Sequence, residues 1–180
     1  PARANDGRDR YQTGYPTLFC HWHAPVGPGA GYRVLPEDMP GVRPSDRHLY
    51  ERSAFIYPIW SPNGNIVTEI HPADHRHHMG IWMPWTHTRY EGNLVDFWNI
   101  QDGTGTVRFS KYLSTSDGPV YGGFQAEQDH VALKTSSGEK VILKEVWDIR
   151  VYNVGGPDAG YWLWDFKSTQ RNITDLPLIQ

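Results

Sequence analysis

Cysteine is nearly absent from this chain of 180 residues: Cys20 is the only one. An intrachain disulfide is therefore excluded, and so is a thiolate cluster for zinc. Cys20 lies in Leu18-Phe19-Cys20-His21-Trp22-His23, a setting that predicts a buried, inert thiol. Long apolar runs are absent too. Nothing approaches the roughly 18 residues of a membrane helix, and Pro1-Ala2-Arg3-Ala4-Asn5-Asp6 contains no apolar core of an export signal. Charge of one sign is not in excess. The net charge is -3, which excludes the strongly basic footprint of a nucleic-acid binder. Arg3 to Arg10 holds Asp6 and Asp9 and is close to balanced. Phosphate-cradling loops are missing, since Gly103-Thr104-Gly105 lacks the lysine and helix that such a loop needs. No Gly-x-Ser-x-Gly nucleophile elbow occurs. Long helical periodicity is scarce.

What is present is aromatic. Phe, Trp and Tyr make up 13% of the chain, and 18 glycines and 14 prolines break it into short segments. That combination predicts an all-β fold, an antiparallel β-sandwich of about ten strands. Residues 1–52 read as a long irregular N-terminal arm, with one strand at Tyr15 to His23, and residues 53–180 as the sandwich domain. Strands are expected at Ala54–Trp60, Ile66–Ile70, Gly80–Trp85, Leu94–Ile100 and Thr106–Leu113. One or two more lie between Tyr121 and Lys134, followed by Lys140–Val154 and Tyr161–Thr169. Ser61-Pro62-Asn63-Gly64-Asn65 and Ser136-Ser137-Gly138-Glu139 read as tight turns. On Lys140–Val154 the period of two places Val141, Leu143, Trp147, Ile149 and Val151 on one face. Arg171 to Gln180 reads as the start of another strand, so the sandwich is expected to continue past Gln180.

Five of the nine histidines fall in the seventeen residues from His71 to His87. Packing rarely asks for so many. Imidazole is the commonest side-chain metal ligand and titrates near neutrality. On an extended backbone His75 and His77 would point one way and His78 the other. His75 and His77, joined by His71, are a candidate site for a divalent metal such as Zn, Mn, Fe or Ca, with Asp74 as ligand or partner of an imidazole. Metal-free proton transfer is the second reading, with His77 and His78 as the catalytic pair and Asp74 or Asp96 orienting them. Trp82, Trp85 and Trp98 are candidates to stack on a sugar ring, and equally to fill a core. Arg76 is a candidate substrate contact. A second His-x-His, His21 and His23, could join from the arm. Glu69, Glu91, Glu127 and Asp148 are the carboxylates available for a glycosidase pair. His130, between Asp129 and Val131, reads as turn-like and receives no role.

Tyr57-Pro58, Asn63-Gly64, Asp74-His75-Arg76-His77-His78, Gly80-Ile81-Trp82 and Val95-Asp96-Phe97-Trp98 follow one another over about 45 residues. In that order they resemble the bacterial family labelled methane oxygenase PmoA-like. Two positions depart from its pattern: Arg76 stands where proline is frequent, and Met79 where arginine is frequent. The resemblance implies a β-sandwich of greater length, a periplasmic or secreted bacterial protein, and an association with sugar catabolism. The expectation is a carbohydrate-active hydrolase, lyase or epimerase acting on a small-molecule or glycan ligand. The alternatives are a non-catalytic carbohydrate-binding or structural module, and the oxidoreductase that the family label suggests.

Overall fold

Alternation builds the largest element. In the computed structural model, which describes residues 20–22, 42–50, 55–154 and 160–178 (backbone only at 20–22, 47 and 48), four long strands form one antiparallel sheet. They are β5 (Gly105–Ser116), β6 (Tyr121–Thr135), β7 (Gly138–Tyr152) and β8 (Leu163–Asn172), in the order β5-β6-β7-β8. Phe124, Ala126, Gln128 and His130 of β6 are buried, while the residues between them are only partly so. The register sets Phe124 opposite Ile149, Ala126 opposite Trp147, and Gln128 opposite Glu145. It continues to Phe166, Ser168 and Gln170 of β8. Period two therefore gives this sheet one inner face. The β6–β7 turn closes at Gly138, whose φ of 92° suits glycine, and Thr135 Oγ1 donates to the Gly138 carbonyl at 2.6 Å.

Short strands supply the covering layer. β1 (Cys20–Trp22) pairs with β2 (Ile56–Ile59), and β3 (Thr88–Tyr90) with β4 (Asn93–Val95), both antiparallel. Ile56 packs with Phe124, Ala126, Trp147 and Ile149 against the big sheet. Tyr90, Val95 and Phe97 pack with Val107, Ala132 and Ile142 further along it. A third cluster of Phe55, Met79, Trp82 and Ile100 lies under the histidine loop. Each large side chain buried this way contributes roughly 1.5–3 kcal/mol.

The all-β antiparallel class is what the structure shows, with eight strands among the described residues. β1 falls within the expected N-terminal arm and pairs with β2. A 3-10 turn at Pro44–Tyr50 also falls there, and Tyr50 packs against the Phe55 cluster. The side chains of Cys20, His21 and His23 lie outside the described residues. Among the described residues no helix is long and apolar enough to cross a membrane.

Several expected strands are shorter or absent, each for a local reason. Lys140–Val154 and Tyr121–Lys134 are single strands, as β7 and β6. Ile66–Ile70 makes only isolated bridges, Trp60 to Ile66 and Ile70 to Met79. The Thr68 hydroxyl takes the Ile59 N–H at 3.0 Å, where a strand would offer a carbonyl. Ile66 and Val67 are 53% and 62% exposed, so little burial favours a ladder there. Gly80–Trp85 holds one bridge, Ile81 to Ile56, and Pro84 has no N–H to continue it. Leu94–Ile100 ends as strand at Val95 because Asp96 turns the chain. Beyond β8, Asn172 accepts the Thr174 N–H and donates to the Leu176 carbonyl, both at 2.8 Å. Residues 173–178 are thus a turn rather than the start of a strand.

Candidate functional site

The loop from His71 to His78 is wound rather than extended. The His75 N–H bonds the Pro72 carbonyl at 3.0 Å, and the His78 N–H bonds the His75 carbonyl at 2.9 Å. The His71 N–H closes the loop on the His78 carbonyl at 2.8 Å. His71 sits at φ 53°, a conformation uncommon for a non-glycine residue, and its Nδ1 meets the Arg76 carbonyl oxygen. Met79, fully buried, anchors the exit. Gly80 follows at φ 53°, so close to β2 that a Cβ there would lie 2.2 Å from the Ile56 carbonyl oxygen.

This winding overturns the expected divergence of the histidines. His75 and His78 are stacked, 4.8 Å between centroids at 25°. His77 stands edge-on to His78 at 4.5 Å and lies 6.1 Å from His75. All three rings meet. Tryptophans from two segments close the group: His77 and His78 lie 6.2 and 5.7 Å from Trp82, and His78 lies 5.5 Å from Trp98. Trp82 and Trp98 face each other at 4.4 Å and 30°. Trp82 is buried, whereas Trp98 and the His77 and His78 rings are half-buried and His75 is exposed.

Electrostatics follow from this crowding. Burial lowers the pKa of His77 below the usual imidazole value, and the neighbouring His78 and His75 lower it further, against Asp96 and Asp102. Burial likewise lowers His78, helped by His75 and opposed by Asp74. The hydrogen bond with His75 holds the exposed Asp74 below the usual carboxylate range; His75 Nδ1 and Asp74 Oδ2 are 3.0 Å apart. Near pH 7 both His77 and His78 therefore carry lone pairs and can accept a proton.

The other candidates go elsewhere. His71 is not in the trio; its ring stands edge-on to Tyr50 at 6.4 Å, and it braces the loop. Arg76 contributes its carbonyl to that brace. Trp85 packs with the Tyr90, Val95 and Phe97 cluster. Asp96 is buried and commits its carboxylate locally. Oδ1 accepts the N–H groups of Trp98 and Asn99, and Oδ2 the Asn99 side-chain amide, all at 2.8 Å. It positions Trp98 through these bonds and acts on His77 through its charge.

A metal ion does not fit the trio as placed. Among the described residues no group of three or more His, Cys, Asp or Glu side chains is arranged to hold one. Imidazole lone pairs lie in the ring plane, so stacked His75 and His78 aim theirs side by side, not at one point. The glycosidase carboxylates are also engaged. Glu127 bonds Lys144 at 2.8 Å, Asp148 bonds Gln125 at 2.9 Å and Arg150, and Glu91 accepts the Ser136 N–H at 2.9 Å. Glu69 is exposed on the strand-like segment before the loop.

A second polar group lies on the inner face of the four-stranded sheet. His130 is not in a turn: it sits inside β6, fully buried, with Nε2 2.8 Å from Glu145 Oε2. Glu145 Oε1 accepts from Ser168 Oγ and from Gln170 Nε2 at 3.2 Å. Burial pushes the Glu145 pKa up, but hydrogen bonding and charge from His130, with the Ser168 bond, outweigh it and leave the group below the usual glutamate value. The available signal was parity: position 145 falls on the apolar face between Leu143 and Trp147.

A family model spanning residues 35–179 matches this chain. The chain belongs to the family of unknown function DUF6807. That match replaces the resemblance to the methane oxygenase PmoA-like family, which nothing in the comparison supports. The matched span takes in the histidine loop, both tryptophans of the candidate site and the whole four-stranded sheet. No curated protein and no solved structure matches the chain.

Proposed function

We propose that this chain is a carbohydrate-active enzyme that moves protons with the His77–His78 pair, acting on a sugar held against Trp98. The observation that supports the reading most is the meeting of His75, His77 and His78 with Trp82 and Trp98. Apolar walls with a few convergent polar groups are the usual make-up of a small-ligand site. The half-buried Trp98 indole offers the aromatic plane that the C–H face of a sugar covers. Trp82, buried behind it, sets its angle.

Within the three reactions expected, base-driven chemistry has the better support. Hydrolysis by two carboxylates needs a pair about 5–9.5 Å apart across the scissile bond, and three of the four available carboxylates are tied to a lysine, an arginine or a backbone N–H. Two adjacent imidazoles of lowered pKa suit a lyase or epimerase. His77 Nε2 or Nδ1 takes a proton from the carbon beside a sugar carbonyl or carboxyl group. The C–H electron pair passes to that oxygen, then returns to form a C=C bond as the β-oxygen substituent leaves, and the proton now on His77 is delivered to the leaving oxygen, directly or through His78. Asp74 fixes the neighbouring His75 ring.

The test is a turnover panel of uronate-containing and neutral glycosides, with His77→Ala and His78→Ala as controls. Loss of a general base lowers turnover by about 10²–10⁴-fold. Equal turnover in both variants would refute the assignment. Binding without turnover in the wild type would make the domain a carbohydrate-binding module.

A further inference from the structure

The inner face of the four-stranded sheet carries a polar row that the histidine loop does not use. Gln128 of β6, Glu145 of β7 and Gln170 of β8 stand opposite one another in register. His130 lies two residues beyond Gln128 on the same face, and Ser168 two before Gln170. Apolar neighbours flank the row: Ala126, Trp147 and Ile149 on one side, Leu143 and Val107 on the other. Part of the row is satisfied, since His130 Nε2, Ser168 Oγ and Gln170 Nε2 all meet the Glu145 carboxylate. Part is not. Both amide atoms of Gln128 and the Nδ1 of His130 have no hydrogen-bond partner among the described residues, and both side chains are fully buried. Buried polar groups are paired in the great majority of structures, and leaving one unmet is destabilising. Gln128 leaves a donor and an acceptor unmet side by side.

We propose that this row is a second binding site, distinct from the histidine loop, for a small neutral molecule bearing neighbouring hydroxyls, a polyol or monosaccharide. Each hydroxyl both donates and accepts, so one diol answers the Gln128 N–H and carbonyl together. A third hydroxyl meets His130 Nδ1 whichever role that nitrogen takes. Glu145 holds the His130 ring in place. The roof is formed by Phe97, edge-on to His130 at 5.0 Å and 76°, and by the Met83 carbonyl, 3.5 Å from Gln170 Nε2. Phe97 is fully buried over His130, so it must move aside for the ligand to enter.

The experiment is a nuclear magnetic resonance titration of the labelled chain with glycerol, D-glucose and methyl β-D-glucoside. It follows the Gln128 side-chain amide and the His130 ring nitrogens. Saturable shifts of both are expected with at least one probe. Gln128→Leu, close in shape but without either unmet group, should weaken that response roughly tenfold or more. His77→Ala should leave it unchanged, which separates this site from the one proposed on the loop. Absence of saturable shifts with every probe in the wild type would overturn the proposal and leave a row holding water only. An unchanged response in Gln128→Leu would overturn it as well. Should that variant fail to fold, the wild-type titration decides alone.

Discussion

The His78 imidazole stands edge-on to the Trp98 indole, with centroids 5.5 Å apart and planes at 89°. Twenty residues separate them in the chain. His78 is held by the wound loop, whose ends meet through the His71 N–H and the His78 carbonyl. Trp98 is held by Asp96, which draws the backbone out of β4. Two independent local devices therefore set one contact, and each can be broken alone.

Asp96→Ala removes three hydrogen bonds to a carboxylate. Bonds to charged groups contribute about 1.5–3 kcal/mol each, without full additivity. A loss of roughly 2–4 kcal/mol in urea unfolding is expected, with a changed Trp98 fluorescence in the folded variant. Asp96→Asn keeps an acceptor for the backbone and should lose about half as much.

Gly80→Ala places a methyl group against the Ile56 carbonyl oxygen, at a φ of 53°. Backbone cannot yield there as a flexible side chain would. The expected cost is about 2–4 kcal/mol, read from thermal and urea unfolding. Gly64→Ala, with open space around its Cβ position, shares only the positive φ and should cost about 1 kcal/mol.

Acid should act on the loop through His77 and His78. Both have pKa values lowered on folding, by burial first and by neighbouring imidazoles second. The unfolded chain then binds protons more readily. Their unprotonated state is fully favourable above about pH 6.5, and stability falls as pH drops below that, down to the folded values. In a proton titration both rings should have midpoints below a free imidazole, and His77→Gln should shallow the loss of stability between pH 6.5 and the folded midpoint.

Glu145 behaves with the opposite chemistry and the same sign. Its folded pKa is lowered despite burial, chiefly by His130. Its contribution is present above the usual glutamate value and disappears as pH falls through the folded one. Glu145→Ala leaves His130 without its buried partner, so a loss of about 3–5 kcal/mol is expected. Glu145→Gln should lose less and flatten the acid limb of the stability profile.

The alternation of β7 and β8 was readable in the sequence because period two survives on any sheet with one buried face, whereas the inner face of β6 carries Gln128 and His130, which blur it. The short elements were not. Asp96 ends a strand with its own side chain, and Thr68 takes a ladder position with its hydroxyl. Neither substitution leaves a mark on hydrophobic patterning. The density of histidines marks the candidate loop, but the convergence of His75, His77 and His78 depends on turns at Pro72 and His75 that histidine density does not encode. Trp82 and Trp98 were placed with the loop, while Trp85 follows the Phe97 cluster. Glu145 was readable in principle. It occupies the gap between Leu143 and Trp147 on an otherwise apolar face, opposite Gln128 and near His130, which shares the parity of Gln128.

The central claim, a sugar held on Trp98 beside His77 and His78, is tested most directly by following those three side chains during titration with the glycoside panel. Saturable shifts of the Trp98 indole and of both imidazoles, lost in Trp98→Ala and retained in Trp85→Ala, are the predicted result. Saturable binding that leaves all three unmoved, or that survives Trp98→Ala unchanged, would contradict it.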